Sequence, residues 1–152
     1  MNDSMMIVAA VKAYQTEYGK YPDVPKASLV GGQRSNRDLM HCLIGADDLR
    51  NPRRIVFLDR MEAKPISGWF EPKTYGAGFH PTSGDYLDPW GLPYHILLDS
   101  DYDGTIPNPY GDEPEQQIRS GVIVWSLGKD RVFGRRADHD KSSRPDDVVS
   151  WR

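Results

Sequence analysis

Asp99, Asp101 and Asp103 stand at alternate positions and are followed by Gly104 and, two places on, by Ile106. Carboxylates spaced in this way can converge on one hard cation, the glycine allows the sharp turn between them, and the apolar residue seats the loop on a core. This is the opening of a calcium loop. The bidentate Glu that such loops carry at the twelfth position is absent: Tyr110 stands there, and Asp112 and Glu113 follow at the wrong spacing. Asp and Gly also build plain polar turns, so a cation site and a β-turn after a strand are both compatible with these residues. Three carboxylates this close repel one another, by about 1 kcal/mol per pair at ~4 Å in water, and a divalent ion would relieve that repulsion.

A second acidic group lies in the tail, where Asp130 is followed by Asp138, Asp140, Asp146 and Asp147. A loop without periodicity that carries five carboxylates can fold around an ion in place of a core. Arg131, Arg135, Arg136, Lys141 and Arg144 share the stretch, and a solvated loop with mixed ion pairs satisfies the same composition.

Signals for bond chemistry are few. The sequence has no Gly-x-Ser-x-Gly elbow, no phosphate-cradling glycine loop, no His-Glu-x-x-His and no Cys-x-x-Cys. His41, His80, His95 and His139 are too scattered to suggest a shared metal. His41 adjoins Cys42, but consecutive helix residues point in different directions, so the pair makes a poor nucleophile and base. The apolar neighbours of Cys42 predict a buried thiol. A hydrolase would have to assemble its site in the 65–88 region from Glu62, Glu71, His80 and Asp85.

The elements that must position these groups begin with a helix. From Asp3 to Tyr18 the apolar residues Ile7, Val11, Tyr14 and Tyr18 recur at steps of four, three and four, one stripe of an amphipathic helix. Gly19 and Pro22 end it. Ser35-x-x-Asp38 reads as a loose capping box for a second helix through Leu39, Cys42 and Leu43 to Gly45. Beyond Asn51-Pro52, residues 54–58 are β-branched and aromatic enough to predict a strand. Prolines and glycines interrupt 65–88 and predict irregular structure. Strands are predicted over 92–98 and 120–126, as an antiparallel pair with a decorated connection, and a last short one over 148–151. The order predicts an α+β fold: an amphipathic helix packed on a small antiparallel sheet of three to four strands, with long irregular loops.

At 152 residues the chain is sized for one domain. Its 38% hydrophobic and 27% charged residues are those of a globular protein, and 14 Gly with 12 Pro fall below the level of low-complexity sequence. A net charge of −3 offers no positive field for phosphate backbones, which argues against nucleic acid as a partner. The longest apolar run, Met5 to Val11, is far short of the ~20 residues that span a bilayer. Asp88-Pro89-Trp90-Gly91-Leu92-Pro93-Tyr94 is the densest segment. Pro89 fixes a dihedral, Gly91 permits a positive φ, and Trp90 between them is expected to turn inward as an anchor, making a structural corner that leads into the strand.

These residues carry a resemblance. Tyr14-x-x-x-x-Gly19-Lys20-Tyr21-Pro22 resembles the helix exit of the major pseudopilins of type II secretion systems, and more broadly of type IV pilin-like proteins. The Asp88 to Tyr94 segment is similar to their central signature, with Leu92 where Asn is usual. Ser126-Leu127-Gly128-Lys129-Asp130 resembles their Ser-x-Gly-x-Asp stretch, and Asp147-Val148-x-Ser150-Trp151 their closing Asp-Ile-x-x-Trp. The matched segments keep their expected order across most of the chain; the central signature is fairly specific and the others are weak alone.

The resemblance implies a single pilin-like domain over 1–152, with 1–18 as the lower half of the pilin helix, 19–88 as a variable helix and loop region, and 89–152 as sheet and C-terminal loop. It implies a structural subunit that is not an enzyme and polymerises through its N-terminal helix into a periplasmic filament. Its partners would be other pseudopilins and secretion-platform proteins. Family members carry a leader cleaved by a prepilin peptidase, N-terminal methylation, and a hydrophobic helix anchored in the inner membrane. The expectation is that Met1 opens a chain from which that helix has been removed, leaving a periplasmic or cell-surface head whose contact with membrane ran only through it. The family's calcium in the C-terminal loop maps onto Asp130 and Asp147, with Asp146 beside the latter. Arg131 stands where Gly is usual and Arg135-Arg136 where glycines are common, so Asp99, Asp101 and Asp103 remain a rival location. A type IV pilin-like minor subunit and a free-standing extracellular calcium-binding module are the alternative readings.

Overall fold

The computed structural model describes residues 3–24, 35–65, 75–109, 116–128 and 148–150. Helix α1 runs from Asp3 to Tyr18, and Gly19 ends it at φ +72° with its N–H on the Gln15 carbonyl, 2.8 Å away. Its stripe does what the spacing predicts, since Ile7, Val11 and Tyr14 are buried and Tyr18 is half-buried. Helix α2 spans Arg37–Leu43. Among the described residues seven short strands follow: β1 Gly78–Phe79, β2 Tyr86–Leu87, β3 His95–Leu98, β4 Ile106–Pro107, β5 Gln117–Ile118, β6 Val122–Ser126 and β7 Val148–Val149. They form an antiparallel sheet in the order β3-β6-β7 and two hairpins, β1-β2 and β4-β5. The fold is α+β.

Strand β6 organises the core. Every residue of Val122–Ser126 is buried, because both faces of the strand are covered. Val122 and Val124 pack in the cluster built by Ile7, Val11 and Tyr14 of α1, with Ile96 of β3 and Leu39, Met40 and Leu43 of α2. Ile123 and Trp125, on the opposite face by the two-residue alternation of a strand, pack with Ile106 and Ile118 of the β4-β5 hairpin. Each large side chain buried this way contributes about 1.5–3 kcal/mol. His95 lies opposite Trp125 in the β3-β6 register, and their rings stack at 5.2 Å.

Several expectations are corrected. Residues 54–58 form no strand: Arg54 takes φ +53°, the Asn51 side chain holds both the N–H and the carbonyl of Ile55, and the Phe57 and Leu58 N–H groups both turn to the Leu43 carbonyl. Strand β3 begins only at His95, because residues 92–94 bond the 86–88 segment instead: the Tyr94 N–H donates to the Tyr86 carbonyl and the Leu92 carbonyl accepts the Asp88 N–H. Strand β6 starts at Val122 rather than 120, and β7 ends at Val149 within the expected 148–151. The stretch expected to be irregular contains the β1-β2 hairpin, and the connection between β3 and β6 contains β4-β5. Ser35 makes no capping box. Its hydroxyl donates to Asp85 at 2.7 Å, and Asn36, at the start of α2, turns its side chain to the sheet. Trp90 is half-exposed, and the buried aromatics of this region are Tyr86 and Tyr94. No helix among the described residues is long and apolar enough to cross a membrane.

Candidate metal centre

Strand β3 delivers the chain to Asp99, whose N–H donates to the Gly121 carbonyl at 3.0 Å as the last rung beside β6. The chain then reverses within five residues, with Tyr102 at φ +59° and Gly104 at φ +85°. Asp99 is the hub of that reversal. Its Oδ1 accepts the Asp103 N–H at 3.2 Å and its Oδ2 the Gly104 N–H at 2.8 Å. Asp103 in turn accepts the N–H and the hydroxyl of Thr105 on Oδ1, at 2.8 and 3.0 Å. Ile106 then anchors the far side of the turn in the core.

The three carboxylates that the sequence singled out are thereby brought together. Asp99, Asp101 and Asp103 each offer an oxygen, all within 4.8 Å of one another, so one metal ion could touch all three. Asp99 is buried while Asp101 and Asp103 are exposed, which leaves the cluster open on one side. A carboxylate has about four lone pairs, so the backbone bonds leave acceptor capacity on Asp99. Burial, and then a hydrogen bond shared with Asp101, raise the Asp99 carboxyl above the ordinary aspartate range. Both causes disfavour a second negative charge there, and a cation acts in the opposite direction.

The remaining sequence-predicted residues divide in two. Asp130, Asp146, Asp147 and Trp151 lie outside the described residues, as do Glu71, Asp112 and Glu113. The others are in place around the sheet. At the helix exit, Gly19 is followed by a half-buried Tyr21 and a buried Pro22. In the central segment the Asp88 side chain is fully buried. Its Oδ1 accepts the N–H groups of Trp90 and Leu92 at 3.0 and 2.9 Å, and its Oδ2 accepts the Ser126 hydroxyl at 2.7 Å. Gly91 closes that turn at φ +88°, Pro89 is exposed, and Tyr94 is buried against Tyr86.

Of the described groups considered for hydrolysis, His80 and Asp85 hold local structure. His80 Nδ1 accepts the Thr82 and Ser83 N–H groups, Asp85 accepts the Ser35 hydroxyl and the Asn36 N–H, and Glu62 is exposed beside Phe79. Cys42 is buried, and burial pushes its thiol up to about 11. It is a core residue rather than a nucleophile.

Sequence reading missed Asn36, Asn51, Tyr102 and Gly121. Both asparagines are buried with every side-chain polar atom used. Asn51 was visible only as a chain breaker before Pro52, and nothing local marks the other three. Comparison with protein-family models, with curated proteins and with solved structures found no match.

Proposed function

We propose that the chain is the head of a structural filament subunit of the pseudopilin kind, which acts by polymerisation and performs no bond chemistry. The observation that carries this reading is the seating of α1. An amphipathic helix lies with its apolar stripe on β6, the central strand of the sheet, and keeps an exposed face of Lys12, Ala13, Thr16 and Glu17. A helix gripped at one end by a head and prolonged by an apolar segment can pack against its copies, and identical head-to-tail contacts that do not close generate a helical fibre. The resemblance of residues 14–22 and 88–94 to pseudopilin signatures supports this reading. On this reading the subunit works at the inner membrane and in the periplasm, driven by an external motor.

The reading requires an apolar helix ahead of α1. The encoding gene is expected to continue upstream of Met1 through about 20 apolar residues, preceded by a leader. An immediate upstream stop codon would overturn the filament reading and favour a free-standing cation-binding module.

The cation of the Asp99 cluster is proposed to be calcium. Its oxygen ligands sit at about 2.3–2.6 Å, so two of them lie at most ~5 Å apart, and the observed 4.8 Å spread fits. Binding would order the turn between β3 and β4 and stiffen one end of the sheet. Calorimetric titration of chelator-treated protein is expected to give millimolar-range binding, weakened at least tenfold by Asp99→Asn. The pH dependence has a definite sign. Asp99 titrates above its unfolded value, so its protonated form stabilises the fold in acid, and that contribution is lost as pH rises through the raised value. Calcium needs the ionised form, so its affinity should rise over the same window. A pH-independent affinity, or no heat up to millimolar calcium, would remove the ion from this turn.

A further inference from the structure

Three segments distant in sequence meet where α1 ends. The Tyr21 ring stacks on Tyr102 with centroids 5.5 Å apart and planes 21° apart, and the Tyr21 N–H donates to the Tyr102 hydroxyl at 3.0 Å. The Tyr21 hydroxyl fills the place where a Cβ at position 121 would stand, so the ring can lie there only against glycine. Gly121 is the residue whose carbonyl receives the Asp99 N–H.

Tyr102 needs an explanation. A bulky residue with positive φ persists only where its surroundings hold it, and Tyr102 is 55% exposed, so burial is not the restraint. The Tyr102 N–H reaches the Asp99 carbonyl at 3.4 Å, and the side chain is restrained by the ring stack and the hydrogen bond to Tyr21. The residue so held lies between Asp101 and Asp103, within the turn that Asp99 closes through the Asp103 and Gly104 N–H groups.

We propose that the Tyr21–Tyr102 pair is a strap that makes the end of α1 and the acidic turn open and close as one unit. Local openings in proteins occur in contiguous cooperative units, and here the strap joins two that the chain itself separates by 81 positions. When the rings part, Tyr102 is free to leave the left-handed region and the turn loses its template. When the turn opens, the helix exit loses the acceptor of the Tyr21 N–H. The coupling must be reciprocal because it is an equilibrium free energy. It goes beyond the filament reading and needs no bound ion.

Residue-resolved hydrogen exchange of the chelator-treated protein tests it. Tyr102→Ala is expected to speed exchange of the Gly19 N–H, which is bonded within α1, by about fivefold, the scale of one aromatic contact. Tyr21→Ala should speed the Asp103 and Gly104 N–H groups by a similar factor. Gly121→Ala, which expels the Tyr21 ring, should reproduce the Tyr21→Ala pattern, and the double variant should exchange no faster than either single one. Tyr102→Gly removes the ring but keeps the left-handed backbone without strain; it should still loosen Gly19, which separates loss of the ring from loss of stability. Unchanged exchange at Gly19 in both Tyr102 variants, unchanged exchange at Gly104 in Tyr21→Ala, or full additivity in the double variant would each overturn the strap.

Discussion

Asn36→Ala is expected to lower the unfolding free energy by about 3 kcal/mol, although the side chain is small and its backbone is hardly involved in the sheets. Its amide does the work of a strand. Nδ2 donates to the carbonyls of Tyr86 and Tyr94 at 3.0 and 3.1 Å, and Oδ1 accepts the Tyr86 N–H at 2.7 Å. Alanine would leave the Tyr86 N–H without its acceptor and the Tyr94 carbonyl without this donor, in a site where Asn36 is 1% exposed and water cannot easily substitute. The Tyr86 carbonyl would keep the Tyr94 N–H, at 3.1 Å, which is why the loss is set by two groups rather than three. Each buried group left unmet costs about 1–3 kcal/mol, against a total of roughly 5–15 for a typical domain.

Urea denaturation followed at constant m-value measures the change. Asn36→Asp sharpens it: an isosteric carboxylate sets a negative oxygen against two carbonyls, so at neutral pH it should lose at least as much as alanine, and acid should restore part of the loss. If alanine cost under 1 kcal/mol, the amide would not be the link between α2 and β2, and the packing of Leu39 and Met40 would have to carry it.

That link also marks the limit of what the sequence reveals. The bounds of α1 are legible because sixteen residues repeat a helical period and end on a glycine that takes positive φ; many weak signals agree over a long window. Strands β1, β2, β4 and β5 are two residues each, too short for alternation to register, and β2 is held partly by an asparagine fifty positions away. Residues 54–58 mislead for the converse reason. Their β-branched composition is sound strand material, but Asn51 binds Ile55 and Arg54 turns left-handed, so local hydrogen bonds override propensity. Trp90 misleads through size, since its apolar bulk argues for the interior while the Asp88 carboxylate fixes its N–H in a turn that leaves the ring half-exposed. The acidic cluster was legible because its members share one turn, whereas Tyr21 and Gly121, which brace it, come from separate segments of the chain, after α1 and before β6.

Asp88→Ala is expected to have the largest effect, a loss of about 4 kcal/mol. A fully buried carboxylate there receives two backbone N–H groups and one hydroxyl, and hydrogen bonds to a charged group contribute about 1.5–3 kcal/mol each before the desolvation of the charge is subtracted. Asp88→Asn should lose only about 1–2 kcal/mol, because a carbonyl oxygen at Oδ1 still serves Trp90 and Leu92 while the Ser126 hydroxyl turns from donor to acceptor. That hydroxyl already accepts the Gly128 N–H at 3.1 Å, so Ser126→Ala should lose a similar ~1–2 kcal/mol by loosening both ends. The double variant Asp88→Ala/Ser126→Ala should lose less than the sum of its singles, since the two share one bond. The near-ultraviolet signal of Trp90 should change with Asp88→Ala and hold with Asp88→Asn, tying the energy to the turn rather than to general loosening. Equal losses for Asp88→Ala and Ser126→Ala would mean that the turn amides find water when the carboxylate is gone, and that the corner leading into β3 is held by its proline and glycine alone.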